Sequence, residues 1–200
     1  YEKLLQFPLF QGMSHNELMQ VVSRTKFNFI KIESGKNIVK EGERCDHFIF
    51  VINGTIEIKT ISDDHSYTVA EEINAPYLIQ PEDLFGITQR YHSTFTAKCT
   101  TGLLTIDKKE VMKLGESFLV FRLNLLNLYT SHIHKLQRAA WQHQSADLRK
   151  RIIRFIVSHS QYPAGKKTIY ILMEQLGKEL NDSRLDISRA LNSLQDESLL

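Results

Sequence analysis

Cys45-Asp-His-Phe-Ile-Phe-Val-Ile-Asn-Gly-Thr-Ile-Glu-Ile-Lys-Thr60 sets two apolar runs, rich in β-branched and aromatic residues, on either side of Asn53-Gly54. Asn-Gly tolerates the positive φ angles of a tight type I′ turn, so the stretch reads as a β-hairpin. The same texture extends outward from Phe27 to Ile106, in short runs of Val, Ile, Phe and Thr punctuated by Gly at 35, 42, 54 and 86. Repeated short strands of this kind predict an antiparallel sandwich or barrel-like roll, not a parallel sheet.

The pattern changes near Asp107. From Ser117 to about Trp141 neither Gly nor Pro interrupts the chain, and apolar residues fall at 118, 121, 125 and 128, with a second set at 119, 123, 126, 133, 136 and 140. Spacings of three and four predict one long helix, roughly 37 Å at 1.5 Å per residue. Two apolar stripes require cover on more than one side, which the same helix of a second chain would supply. The dimer seam is assigned to Phe118, Phe121, Leu125, Leu128 and His132.

Gln142-His143-Gln144-Ser145-Ala146-Asp147 is polar and marks a hinge, with Ser145 and Asp147 as cap candidates for a helix over Leu148–Ser160. Tyr162-Pro-Ala-Gly165 then breaks the chain. Met173 to Leu194 follows as a helix to about Leu180, a polar turn at Asn181-Asp182 and a second helix capped by Asp182 or Ser183. Ile187, Ala190, Leu191 and Leu194 form the apolar stripe of that helix, which leaves Ser183, Arg184, Ser188 and Arg189 on its other side. Two short helices across a tight turn form a helix-turn-helix, whose second helix enters the DNA major groove. Arginine can present two parallel donors to guanine, and serine serves phosphate or base.

Composition fits this division. With 42% hydrophobic and 24% charged residues the chain is an ordinary globular one, and no apolar run approaches the roughly 20 residues of a membrane span. The opening, which starts at Tyr1, has none of the zones of a signal peptide and reads as trimmed. Two cysteines, Cys45 and Cys99, are too few for a disulfide scaffold and fit a reducing, cytoplasmic home. The net charge of +2 lies wholly beyond residue 144, where nine bases face seven acids. A nucleophile paired with a base, paired carboxylates and a phosphate-cradling glycine loop are all missing at interpretable spacing, so an enzyme is not expected.

Taken in order, Phe7-Pro-Leu-Phe10, Ser34-Gly35, Glu41-Gly42-Glu43, Asn53-Gly54, Asp83-Leu84-Phe85-Gly86, the long helix, Asp147, Leu176-Gly177 and Ser183-Arg184 to Ile187-Ser188-Arg189-Ala190-Leu191 make a further point. The chain resembles the CRP/FNR family of bacterial transcription regulators. The resemblance implies an α+β protein with an N-terminal antiparallel double-stranded β-roll of the cyclic-nucleotide-binding jelly-roll kind over 1–110. A long dimerisation helix and hinge over 111–144 and a C-terminal winged helix-turn-helix over 145–200 would follow, with the wing beyond Leu200. It further implies a homodimer on a palindromic operator in double-stranded DNA, RNA polymerase as a partner, no membrane, and an effector that biases two states. Leu185 stands where the family often has Glu. A leucine cannot accept from cytosine N4, so base preference there should shift, with a thymine methyl as one apolar alternative.

The effector cassette departs further. The family's cyclic-nucleotide binders use Gly-Glu for the ribose and Arg-Ser for the cyclic phosphate, whereas here Ile87 follows Gly86, and Tyr91 and His92 stand at the Arg-Ser positions. A shifted register recruits Arg90 and Ser93 but not the missing Glu. Cyclic AMP is therefore disfavoured, because a desolvated phosphate needs a cation. An iron–sulfur cluster would need four cysteines. Haem, with His47, His92 or Cys99 as axial ligand, is disfavoured as well, and no metal site is expected. What remains is an unidentified small effector near Gly86, Ile87, Arg90, Tyr91, His92 and Ser93, capped by Leu136 and Gln137 of the long helix. The rival is a ligand-binding regulatory module, with cyclic nucleotide among its ligands, that does not act through DNA.

Overall fold

The computed structural model describes residues 2–140, 145–162 and 165–200. Trp141, Gln142-His143-Gln144 of the expected hinge and Pro163-Ala164 of the expected break lie outside them. The chain forms two compact units: residues up to Ile58 with Glu72–Gln137, and Lys59–Glu71 with Arg138–Leu200. The expected division 1–110, 111–144 and 145–200 did not place the segment 59–71 with the C-terminal residues.

Helix α1 (His15–Arg24) precedes strands β1 (Asn28–Ile32), β2 (Asn37–Val39), β3 (His47–Asn53), β4 (Thr55–Ile61), β5 (Tyr67–Asn74), β6 (Tyr77–Ile79), β7 (Thr94–Ala97) and β8 (Thr101–Asp107), all in the first unit except the segment Lys59–Glu71 of β4 and β5. One sheet has the order β1-β8-β3-β6, and a second runs β2-β7-β4-β5. Antiparallel register puts Phe48 opposite Ile106 and Phe50 opposite Leu104, so these four share a face while Ile49 and Val51 take the other. Both faces are covered: Phe48 to Val51 are all buried. Phe7 meets Phe50 edge to face at 4.9 Å between ring centres, and Phe10 meets Phe121 at 5.5 Å. Burial of each such side chain stabilises the fold by about 1.5–3 kcal/mol.

Asn53-Gly54 does not close a hairpin. β3 and β4 lie in different sheets, and the chain crosses between them at Gly54, whose φ is +96°. A Cβ there would stand 2.7 Å from Thr101 Oγ1 and 3.0 Å from Thr101 Cα. Asn53 keeps a negative φ, and its Oδ1 accepts from the Gly102 amide at 2.5 Å. The dipeptide is therefore a sheet-to-sheet corner selected by close approach to β8, not a type I′ turn.

The long helix forms where its spacing predicts it, unbroken from Leu119 to Ala140, and a separate helix precedes it. Helix α2 (Lys108–Ser117) starts at Asp107, which accepts from Glu110 N at 2.9 Å, and Phe118 is extended before helix α3 (Leu119–Ala140) begins.

The second unit holds α4 (Leu148–Ser158), β9 (Lys167–Ile171), α5 (Met173–Leu180) and α6 (Arg184–Asp196). Asp147 caps α4, accepting from Arg149 N at 3.0 Å. Ile152, Phe155, Leu176, Leu180, Ile187, Ala190 and Leu194 form its core. β9 follows the expected break at 162–165, in a stretch to which sequence patterning assigns no element, and it pairs antiparallel with β5 from Tyr67 opposite Ile171 to Glu71 opposite Lys167.

Candidate functional site

The helix-turn-helix is built by three local devices. Asn181 adopts the left-handed conformation at the end of α5, where the Asp182 amide donates to Gly177 O at 3.1 Å. Gly177 carries no side chain because a Cβ would lie 3.2 Å from Asp182 O. Ser183 Oγ accepts from Asp186 N at 3.1 Å and donates to Asp186 Oδ2 at 2.6 Å. Ser183 is thus the N-cap of α6, one of the two cap candidates that the sequence offers, and its hydroxyl is engaged there.

Beyond the cap, α6 has two unlike faces. Ile187, Ala190 and Leu194 are buried, while Arg184, Leu185, Ser188 and Arg189 are exposed. Arg189 Nη1 lies 3.5 Å from Asp186 Oδ1 on the same helix surface, an exposed pair of little energetic weight. Two further residues were not singled out by sequence reasoning. Arg151 of α4 pairs with Asp182 in the turn, and Arg149 pairs with Glu197 just past the end of α6. Both arginines count toward the basic excess of the C-terminal segment, yet they hold the two ends of α6 to α4. Their acid partners lie 31 and 48 residues away, beyond any local pattern.

In the roll, the cassette residues turn toward one another. Gln80, buried and left-handed at φ 31°, donates from Nε2 to Ser93 Oγ at 3.2 Å and lies 2.8 Å from His92 Nε2. His92 Nδ1 lies 2.9 Å from Asp83 Oδ2, and this hydrogen bond holds the imidazole above its usual pKa against the opposing effect of burial. Tyr91 is buried beside Cys45, and desolvation pushes its phenol far above the ordinary range. Arg90 is exposed and donates to Gly42 O at 2.6 Å. Gly86 sits at φ +105°, and Ile87 is fully exposed.

The expected cap of this region by Leu136 and Gln137 is not formed: both are exposed. The contact from α3 to the cassette comes from Tyr129, whose hydroxyl donates to Pro81 O at 2.9 Å and whose ring meets Phe85 edge to face at 6.4 Å. Both candidate registers for a cyclic phosphate therefore fail to present a buried cation. Tyr91 is in the core, His92 is tied to a carboxylate, Arg90 faces a carbonyl at the surface, and Ser93 is bound to Gln80. These residues do not fit a cyclic nucleotide phosphate. Among the described residues no group of three or more His, Cys, Asp or Glu could hold a metal ion.

The dimer seam also needs correction. Phe118 and Phe121 belong to the core of the roll, and Leu125 and Leu128 pack against it. The open stripe of α3 is the other one, Leu119, Leu123, Leu126, Ile133 and Leu136, each about half exposed. Phe10 decides between the two stripes by occupying the side of Phe121.

Residues 29–118 match the family of cyclic nucleotide-binding domains. Among solved structures, the catabolite activator protein of Thermus thermophilus is similar at 17% identity and a TM-score of 0.56, over 96% of this chain and 88% of its own. The regulator DNR of Pseudomonas aeruginosa gives 18% and 0.51 over 98% and 87%, and a structure of its sensor domain gives 18% and 0.57 over 73% and 95%. No curated protein matches the sequence significantly. The architecture is that of a cyclic-nucleotide-binding-type β-roll with a helical unit after it in the chain, a fold shared with these solved structures. Within that class, the chain has the fold of the CRP/FNR regulators that its sequence resembles. No helix among the described residues is long and apolar enough to cross a membrane.

Proposed function

We propose that the chain is a sequence-specific, homodimeric DNA-binding transcription regulator of the CRP/FNR type, controlled by a small effector other than a cyclic nucleotide bound at its β-roll. The observation that carries this reading is the outward row Arg184, Leu185, Ser188 and Arg189 on a helix whose opposite face is fully buried. In the major groove Arg184 and Arg189 would take guanine edges or phosphates, Ser188 either, and Leu185 a thymine methyl. The open stripe on α3 recurs at spacings of three and four, the periodicity of a helix seam, and a two-fold axis along it would present two copies of α6. Half-sites would then lie about one helical turn apart, near 34 Å. An effector shifts such a dimer only by its different affinity for the two states.

The test is selection of duplexes from a random library by the purified protein, alongside sedimentation velocity. A palindrome with half-sites about 10 base pairs apart is expected from a dimer. Leu126→Asp, which puts a charge in the seam, should give a folded monomer that no longer binds the selected duplex. Recovery of no preferred sequence by the wild-type dimer would overturn the reading.

A further inference from the structure

Gln80 is 1% exposed and sits in the left-handed region at φ 31°, which a residue with a long side chain adopts only where its surroundings hold it there. Its amide is committed at one end alone. Nε2 meets Ser93 Oγ at 3.2 Å and His92 Nε2 at 2.8 Å, whereas Oε1 is buried and accepts from no group among the described residues. The His92 side chain, by contrast, is half exposed, so its ring exchanges protons with solvent. A titrating group at the surface is thus bonded directly to a buried group that does not titrate. All three residues belong to the first unit.

The bond between ring and amide depends on the proton count of the ring. Asp83 Oδ2, 2.9 Å from His92 Nδ1, is a carboxylate oxygen and accepts. The neutral imidazole therefore carries its one proton on Nδ1, which leaves Nε2 to accept from the Gln80 amide nitrogen. The protonated imidazole donates at both nitrogens, and Nε2–H would then face an amide N–H across 2.8 Å, with no acceptor between them. A half turn of the amide about its last bond removes the conflict. Oε1 then accepts from His92 Nε2, and the Ser93 hydroxyl, which can donate as well as accept, keeps its bond to the amide. The acids that face the ring are Asp83 and Glu82 of the turn Pro81–Leu84 and Glu41 of the loop after β2. The hydrogen bond to Asp83 favours the protonated form most, burial opposes it, and the other two acids add to Asp83. Arg90 is turned to Gly42 O.

We infer that His92 and Gln80 form a proton-operated amide switch: the neutral ring accepts from Gln80 Nε2, and the protonated ring turns the amide so that Oε1 accepts instead. The two states present opposite ends of one amide to the interior of the cassette. With the ring neutral that end is an unpaired carbonyl oxygen, and with the ring protonated it is an amide NH2. An effector contact at Gln80 would accordingly change from one that takes a donor to one that takes an acceptor, a consequence that rests on the proposed function. The switch itself does not.

Nuclear magnetic resonance on the isotope-labelled full chain, titrated from about pH 5.5 to about 8.5 across the imidazole range, tests it. At the alkaline end the ring should be the Nδ1–H tautomer, and a coupling across the hydrogen bond should join Gln80 Nε2 to His92 Nε2. As pH falls, that coupling should be lost and the Gln80 side-chain amide signals should shift, both with the midpoint of the ring. Gln80→Met, which keeps length and removes the amide, identifies those signals by their disappearance, and assignment through the Gln80 backbone in the wild type does so without the variant. An Nε2–H tautomer at the alkaline end, or an amide unmoved while the ring titrates, overturns the switch. Duplex selection is run on the same protein. An amide that follows the ring in a chain selecting no duplex sustains the switch and sinks the DNA reading, and a selected duplex with an unmoved amide does the reverse.

Discussion

The cassette at 80–93 and helix α6 with its cap at 183–194 draw on the same polar vocabulary, Arg, Ser and Asp, and use it in opposite senses. In the cassette the Gln80 amide nitrogen, Asp83, His92 and Ser93 engage one another, Gln80 Oε1 is buried without a hydrogen-bond partner among the described residues, and Arg90 answers a backbone carbonyl. On α6 the cap and the buried stripe absorb Ser183, Ile187, Ala190 and Leu194, and the remaining polar side chains point away from the protein. A residue type makes a binding site only where the fold leaves its donors uncommitted. Arg184 meets that condition in a way that Arg90 does not.

The largest effect that would break this comparison is on DNA. Arg184→Ala should weaken binding of the selected duplex by about 1–3 kcal/mol and relax base preference at one position, as read by fluorescence anisotropy at two salt concentrations. Arg90→Ala should leave the same titration unmoved. A smaller effect should appear in the pH dependence of stability. The hydrogen bond to Asp83 holds the folded pKa of His92 above the 6.5 of an ordinary imidazole. Its contribution is fully present below that unfolded value and is lost as pH rises through the folded one. Urea melts from pH 5.5 to 8 should therefore show a fall in stability that Asp83→Asn removes. An equal slope in that variant would reassign the proton. The smallest effect is none at all: millimolar cyclic AMP should leave the melting temperature unchanged, and a rise of several degrees would show that the inward network opens for an anion.

Legibility of the chain followed the range of the interactions. The α5-turn-α6 unit could be read directly, because Asn181, Ser183 and the stripe Ile187, Ala190, Leu194 act within a few residues of one another. Asn53-Gly54 was misread because its positive φ serves a contact with Thr101, which lies 47 positions on in a different strand. Five residues of β9 carry too little pattern to register as a strand, and their partner in β5 lies about 100 residues earlier. Both stripes of α3 were visible, but not which of them the roll would cover.

By itself the sequence determined the periods, the caps and the turns: strands by alternation and β-branching, α4 and α6 by Asp147 and Ser183, and the helix-turn-helix by Asn181 with its flanking stripes. The tertiary structure alone decided which groups remained available. Phe10 covers one side of α3, and Asp83 and Gln80 engage His92 and Ser93. The reason is physical. Helix and turn formation depend on neighbours within about one turn of chain, whereas burial and partner choice depend on which distant segments fill the space beside each side chain.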